Sequence, residues 1–125
     1  MKKEKFKFVE KVWGEEIILV NNADYCGKLL LVDRNAESSY HYHEKKGETF
    51  YAIEGYGTLV VNGKEHVLAP FTRPKTIEPG DKHRFIGITP LIILEVSTFH
   101  DDADVVRLSK SMAGISDGEM VNGVE

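Results

Sequence analysis

Short runs of β-branched and aromatic residues recur along this chain at fairly even spacing, and Gly, Pro, Asn and Asp separate them. This pattern is typical of all-β sandwiches and barrels, whereas helical periodicity is scarce. The chain has 125 residues, which is enough for one domain with its own core and too few for two. We predict an all-β domain with strands at 5–9, 15–20, 28–32, 39–43, 49–53, 57–61, 64–68, 76–77, 83–88 and 91–98.

Turn residues refine this prediction at two places. Asn62-Gly63 lies between two β-type runs and predicts a tight hairpin, because both residues tolerate the positive φ of a type I′ turn. Beyond the last strand the composition becomes acidic, and residues 105–112 are compatible with a short helix. We expect a single domain over residues 1–112 and a flexible tail over 113–125.

Composition excludes several classes of function. The single cysteine, Cys26, cannot form an internal disulfide, which argues against a secreted cystine scaffold or a four-cysteine zinc site. The N-terminal residues are charged and the aliphatic runs are short, so we expect no signal peptide, no membrane span and a cytoplasmic location. A net charge of −4 gives no electrostatic reason to expect nucleic acid as a partner.

Histidines and a carboxylate form the most informative pattern. In a strand, His41 and His43 point to the same face and can aim both rings at one point. Glu48 follows after a short turn, and His83 stands just after Pro79-Gly80. A His-x-His pair alone is as compatible with coincidence as with metal binding, but these two additions make a divalent-metal site the better interpretation.

The remaining histidines are interpreted differently. His66 follows the hairpin turn and His100 lies beyond the last strand, so we interpret both as surface or hydrogen-bonded residues.

The arrangement resembles the two motifs of the cupin superfamily over roughly residues 10–108. The resemblance implies a jelly-roll barrel, or double-stranded β-helix, that holds one divalent ion of Zn, Mn, Ni, Co or Fe. Asn35 stands where the family usually has glycine, and Asn also tolerates a left-handed turn. The implied metal ligands are His41, His43, Glu48 and His83.

Further segments are similar to one branch of this superfamily. Trp13-Gly14 and the closing acidic-Val-x-Arg pattern resemble the cupin domains of type II mannose-6-phosphate isomerases, and the first metal motif together with residues 95–98 resembles D-lyxose isomerases. Both relatives interconvert aldoses and ketoses. The resemblance therefore implies a sugar or sugar phosphate as substrate, and a homodimer in which residues 5–9 pair with a neighbouring sheet.

Isomerisation requires a base and groups that bind substrate oxygens. Glu95 is our candidate base, because it interrupts an apolar run in which a charge is costly unless it is paired or faces a cavity. A structural ion pair between Glu95 and Lys28 or Arg107 is equally compatible with the sequence. Lys28 and Arg107 are also candidate catalytic groups, although Lys28 could instead be exposed at the head of its strand. Lys46 is interpreted as a solvated loop residue.

Two alternatives from other classes remain at this point. One is a binding module without catalytic turnover, with or without metal. The other is a non-haem dioxygenase, because a shell of three His and one Glu can also hold Fe(II) with open positions for dioxygen.

Overall fold

The computed structural model of the protein describes residues 1–115, and within this range the regular structure is entirely strand. The strands are β1 (Lys7–Lys11), β2 (Gly14–Asn21), β3 (Cys26–Val32), β4 (His41–Tyr42), β5 (Glu48–Glu54), β6 (Gly57–Val61), β7 (Lys64–Leu68), β8 (Lys75–Ile77), β9 (His83–Gly87), β10 (Leu91–Ser97) and β11 (Val106–Arg107).

The strands form two antiparallel sheets. The six-stranded sheet has the order β1-β2-β3-β10-β5-β8, and the five-stranded sheet has the order β11-β4-β9-β6-β7. Consecutive strands often lie in different sheets, as in a jelly roll, so the predicted all-β jelly-roll fold is confirmed.

Alternation along the central strands determines which side chains face the interior. In β3 and β10 every second residue is buried, so Leu30 and Ile93 enter the core while Leu29 and Leu94 face outward. The same alternation buries two charged residues, Lys28 and Glu95. The interior therefore contains a polar region as well as an apolar core.

The predicted hairpin is present between β6 and β7. Asn62 and Gly63 have φ angles of 50° and 82°, as a type I′ turn requires, and Val61 pairs with Lys64. Asn35 also adopts a positive φ, 62°, in agreement with the interpretation of that position.

The C-terminal segment departs from one prediction. The short helix over 105–112 is wrong, because Val106 and Arg107 pair with Tyr42 and His41 of β4, where a free sheet edge favours β-branched residues over a local helix. Farther along, the amide of Ile115 donates to the carbonyl of Arg34. Residues 116–125 lie outside the described residues, so a flexible tail there stays a prediction. None of the described residues forms a helix that is long and apolar enough to cross a membrane.

Candidate metal centre and its cavity

Three histidines converge inside the barrel from the five-stranded sheet. His41 lies in β4 and pairs directly with His83, the first residue of β9, and His43 follows β4. Their ligating nitrogens all lie within 4.8 Å of one another. This spacing brings the three rings close enough to bind one metal ion.

Backbone carbonyls orient the three rings. The Nδ1 atoms of His41 and His83 lie 2.8 Å from the carbonyl oxygens of Ser39 and Asp81, and Nδ1 of His43 contacts the carbonyl of Asp104. Each Nδ1–H therefore donates to the main chain, which leaves the Nε2 lone pair free. Such bonds commonly fix the tautomer and orientation of metal-binding histidines.

Glu48 completes the cluster from the first position of β5. Its Oε2 lies 3.3 Å from Nε2 of His83 and 3.4 Å from Nε2 of His43. Oε2 of Glu48 and Nε2 of His83 are buried, and neither has a hydrogen-bond partner among residues 1–115. With Nδ1 protonated, the facing atoms all carry lone pairs, and a cation between them would remove their mutual repulsion.

Burial disfavours the charged form of two of the three imidazoles, His41 and His43. It lowers the pKa of His41 from 6.5 to about 4, with a further contribution from His83, and it also lowers the pKa of His43. Burial opposes the charge of Glu48, but His83 and Lys46 outweigh that effect and hold its pKa well below the usual range. The three histidines could therefore bind a metal ion, and Glu48, beside two of them, is an oxygen donor of the kind that a divalent cation also binds.

A buried ion pair adjoins the cluster. Lys46 is only 3% exposed, and its Nζ lies 2.7 Å from Oε2 of Glu95 and 3.8 Å from Oε1 of Glu48. The interpretation of Lys46 as a solvated loop residue is therefore wrong. The sequence left open a structural ion pair of Glu95 with Lys28 or Arg107; the short contact is with Lys46, while Lys28, its register partner on β3, pairs with Glu16.

The electrostatic environment of this pair favours a basic Glu95. Its burial and then the charge of nearby Glu48 raise the pKa of Glu95, and the lysines offset this only in part. Burial opposes the charge of Lys46, but Glu95 and Glu48 outweigh it and raise the pKa of Lys46. Glu95 therefore binds protons more readily than an exposed carboxylate, and Lys46 holds its proton more firmly than an exposed lysine.

His100 connects Lys46 to the protein surface. Its Nδ1 lies 2.9 Å from Nζ of Lys46, and its Nε2 lies 2.9 Å from Oδ1 of Asp102, whose side chain is 97% exposed. Burial and then the charge of Lys46 lower the pKa of His100 to about 4. The neutral ring thus accepts from Lys46 and donates to Asp102, and it also lies beside His43.

Lys28 and Arg107 occupy different parts of the same cavity. Lys28 is buried, not exposed at the head of its strand, and its Nζ lies 3.1 Å from Oε1 of Glu16. Arg107 is an exposed residue of β11 that lines the cavity. Arg84 of β9 pairs with Glu37.

Asp104 fastens the loop that carries Lys46. Its carboxylate accepts hydrogen bonds from the backbone amides of Glu44, Lys45 and Lys46 at 2.9–3.2 Å, while its carbonyl oxygen contacts Nδ1 of His43. One residue of the C-terminal segment therefore positions both a candidate ligand and the buried lysine.

The cavity enclosed by these groups has a volume of about 550 Å³. His41 and His43 of the cluster, the Lys46–Glu95 pair and the Lys28–Glu16 pair line it, and Trp13 and Phe50 contribute apolar walls. This volume is suitable for a small molecule of several polar groups.

Sequence reasoning missed three residues of this site: Lys46, His100 and Glu16. Lys46 carried a usable signal, because it precedes Glu48 by two residues and could share its face. Glu16 directly follows Glu15 in β2, so the sequence did not indicate which of the two faces inward. His100 carried no such signal, since its position depends on how the C-terminal segment folds back.

Comparisons with known proteins agree with the fold. The family of cupin domains matches residues 28–97. An oxidoreductase of Arthrobotrys oligospora (strain ATCC 24927 / CBS 115.81 / DSM 1491) is 40% identical over 47 residues, which are 38% of this chain and 19% of that protein. The chain therefore spans about a fifth of the length of this curated relative.

Two solved structures are similar in shape. KdgF from Halomonas sp. superposes with a TM-score of 0.70 at 16% identity, over 80% of this chain and 90% of that chain. Streptomyces PAC13 in a structure with uridine gives a TM-score of 0.71 at 18% identity, over 88% of this chain and 93% of that chain. At these identities the likeness shows a shared fold.

Proposed function

Because the chain belongs to the family of cupin domains, we propose that it is a metal-dependent enzyme that interconverts the aldose and ketose forms of a small sugar or sugar phosphate. The observation that carries this proposal is the position of Glu95, a buried carboxylate of raised pKa in the same cavity as the histidine cluster. A structural core would not need a charged pair at that position.

In this proposal His41, His43, His83 and Glu48 hold one divalent ion. When bound, the ion supplies a Lewis acid that polarises the substrate carbonyl and stabilises negative charge on its oxygen. A donor set of three nitrogens and one oxygen is compatible with Zn, Mn, Fe, Co or Ni.

The side chains around the ion perform the proton chemistry. Glu95 takes a proton from the carbon that bears the hydroxyl group and returns it to the neighbouring carbon, while the hydroxyl proton passes to the former carbonyl oxygen, so no oxidant or reductant is consumed. Lys46 holds the Glu95 carboxylate in place and stabilises its charge at 2.7 Å. Glu95 is thus the catalytic base and Lys46 a positioning residue.

Other cavity residues bind the rest of the substrate. The Lys28–Glu16 pair offers donors and an acceptor to hydroxyl groups, and Arg107 is suited to a hydroxyl or phosphate oxygen. The similar Streptomyces protein was solved with uridine, which supports a small hydroxylated ligand for this fold.

The proposal is tested first by metal content. Protein purified without chelator should contain about one divalent ion per chain, and a variant with His41→Ala and His43→Ala should lose it. His66→Ala, which changes a histidine on β7, is the matched control and should retain the metal. If the double variant kept the same metal content, the assignment of these ligands would be wrong.

The reaction is tested by isotope exchange. Metal-loaded protein is incubated in deuterated buffer with a panel of aldoses, ketoses and their 6-phosphates, and incorporation at C2 is followed by NMR. Glu95→Gln should abolish exchange while metal content stays the same. Absence of exchange with every sugar in the panel would contradict the isomerase and favour a binding module.

An oxidoreductase is the second candidate function, because the curated relative that matches 47 residues is one. An Fe(II)-loaded oxygenase would consume dioxygen with its substrate, whereas the isomerase should act under anaerobic conditions. Measuring both activities on the same preparation separates the two.

A further inference from the structure

The buried ammonium group of Lys46 needs acceptors, because it has three N–H donors and cannot accept a hydrogen bond. Two groups lie close to its Nζ: Oε2 of Glu95 at 2.7 Å and Nδ1 of His100 at 2.9 Å. Oε1 of Glu48 lies farther away, at 3.8 Å. The ammonium group is therefore held between one carboxylate and one imidazole, and a candidate metal ligand lies just beyond hydrogen-bond distance.

The ring of His100 serves this lysine as a neutral acceptor. An ammonium group can only donate, so Nδ1 of His100 accepts and the ring proton lies on Nε2. Nε2 in turn lies 2.9 Å from Oδ1 of Asp102, a carboxylate oxygen that accepts this proton in a hydrogen bond. Both ring nitrogens are thus engaged by the protein, and neither is free to bind a substrate.

The protein fixes the main chain of His100 as well as its ring. The amide of His100 donates to Oδ1 of Asn21 at 3.0 Å, and Nδ2 of Asn21 donates to the carbonyl oxygen of His100 at 3.0 Å. Asn21 is the last residue of β2 and precedes His100 by 79 residues. His100 itself lies in the loop after β10, outside any strand. These contacts anchor an irregular loop at the residue whose ring contacts Lys46.

A neutral acceptor has an advantage at this position over the two alternatives. A second close carboxylate would compete with Glu95 for the ammonium group and would weaken the attraction that holds Glu95. An apolar residue would leave a buried donor without an acceptor, and the ammonium group would turn toward Glu48. The imidazole satisfies the donor and leaves the charge of Lys46 to Glu95.

We propose that His100 is a positioning residue, which holds the ammonium group of Lys46 toward Glu95 and so keeps the Glu95 carboxylate oriented into the cavity. This inference rests on the proposed function, in which Glu95 is the base. Asn21 holds the main chain of His100, and Asp102 holds its ring. Because His100 acts through Lys46 and does not bind the substrate, its loss should lower kcat and leave KM nearly unchanged.

Steady-state kinetics of the metal-loaded protein test the inference, with the sugar of the panel that exchanges fastest as substrate. His100→Leu keeps a side chain of similar size but removes the acceptor, so kcat should fall by about tenfold to a hundredfold while KM changes by less than about twofold. In His100→Asn the side-chain oxygen stands as many bonds from the backbone as Nδ1 of histidine, so this variant should recover most of the lost activity. His66→Leu, on β7, is the matched control and should retain the parent kcat.

A double-variant comparison shows whether His100 acts through Lys46. In a Lys46→Met background the ring has no ammonium group to hold, so the addition of His100→Leu should leave kcat unchanged within about twofold. A residue that merely stabilised the loop would lower kcat by the same factor in both backgrounds.

A variant at the surface keeps the test valid if His100→Leu impairs folding. The side chain of Asp102 is 97% exposed, so Asp102→Ala should leave the fold intact. Without this acceptor the ring of His100 can turn away from Lys46, and kcat should fall by about threefold to tenfold. Far-UV circular dichroism verifies the fold of each variant.

NMR tests the contact without any substrate. Buried, hydrogen-bonded N–H groups exchange slowly with water, so the ammonium group of Lys46 should give a proton–nitrogen signal that is absent from Lys46→Met. His100→Leu should shift or remove this signal, and His100→Asn should retain it. If no sugar of the panel reacts, the proposed function fails, whereas the signal still confirms or refutes the contact between His100 and Lys46.

Three results would overturn the inference. One is a kcat of the parent protein that persists in both His100→Leu and Asp102→Ala. Another is an equal loss of kcat in His100→Leu and His100→Asn, which would mean that the ring only fills space. The third is an unchanged Lys46 signal in His100→Leu, because the imidazole would then not be its acceptor.

Discussion

Replacing Lys46 by Met should strongly destabilise the metal-free protein. The substitution keeps an apolar stem of similar length but removes the ammonium group 2.7 Å from Glu95 and 3.8 Å from Glu48. Glu95 would then be a buried carboxylate that has lost its closest cation. Such groups are costly unless they are paired or neutralised.

The expected magnitude follows from the geometry. At an effective dielectric constant of about 20, opposite unit charges at 2.7 Å attract by about 6 kcal/mol. The variant avoids part of this loss if Glu95 takes up a proton, which at pH 7 costs about 3.4 kcal/mol for a carboxyl whose ordinary pKa is 4.5. We therefore expect Lys46→Met to lower the free energy of unfolding by about 3–4 kcal/mol at pH 7.

The sign of the pH dependence is a more specific test. In the variant, native Glu95 holds a proton that the unfolded chain releases at pH 7. The difference from the parent protein should therefore shrink by about 1.4 kcal/mol for each unit between pH 7 and pH 5. A second change, Glu95→Gln, should remove this dependence.

Urea unfolding measures the effect, with the fluorescence of Trp13 as the probe and chelator present. Parent and variants are compared at the same protein concentration from pH 5 to pH 7, since any self-association also affects stability. Lys45→Met, at an exposed neighbouring residue, is the control and should change stability by no more than about 0.5 kcal/mol. A loss below about 1 kcal/mol, or one that does not vary with pH, would refute the assigned role of Lys46.

Two further predictions concern acid stability and the C-terminal segment. The pKa values of His41 and His100 are lowered from 6.5 to about 4, so the unfolded chain binds more protons than the native protein between these pH values. Metal-free protein should therefore lose stability as pH falls from 6.5 to 4, by at most about 3 kcal/mol for each ring. Denaturant titrations at successive pH values measure this slope, which His100→Gln should reduce; an unchanged slope would show that His100 does not contribute. Asp104→Ala removes the acceptor for three backbone amides and should cost about 1–2 kcal/mol in metal-free protein. By loosening this loop it should also shift the Asp104 carbonyl away from His43 and weaken metal binding, measured by competition with a chelating dye. Unchanged affinity would mean that this carbonyl keeps its place without the carboxylate.

The strands and the histidine cluster could be predicted because their signals are local. Alternation along 91–98 places Glu95 with Ile93 on the inward face, and burial confirms that assignment. The Asn62-Gly63 turn fixes its own register through two positive φ angles. His41 and His43 are two residues apart, so one strand aligns them without any knowledge of the rest of the fold.

The ion pairs could not be predicted because they depend on contacts between distant segments. Lys46 and Glu95 are far apart in sequence, and a charged loop gives no indication that one of its lysines is buried. The error at 105–112 has the same origin, since a two-residue strand exists there only because β4 offers it an edge.

The position of Asp104 in the sequence affects the order in which parts of the protein fold. It lies 60 residues from Glu44, whose amide it binds, and 61 from His43, whose ring contacts its carbonyl oxygen. Asp104 also follows the last candidate ligand, His83, in the sequence. A chain emerging from the ribosome would therefore contain all four candidate ligands before Asp104 can form its contacts with His43 and with the loop of Glu44. We expect the nascent barrel to form first and to become competent for metal only in its last folding step.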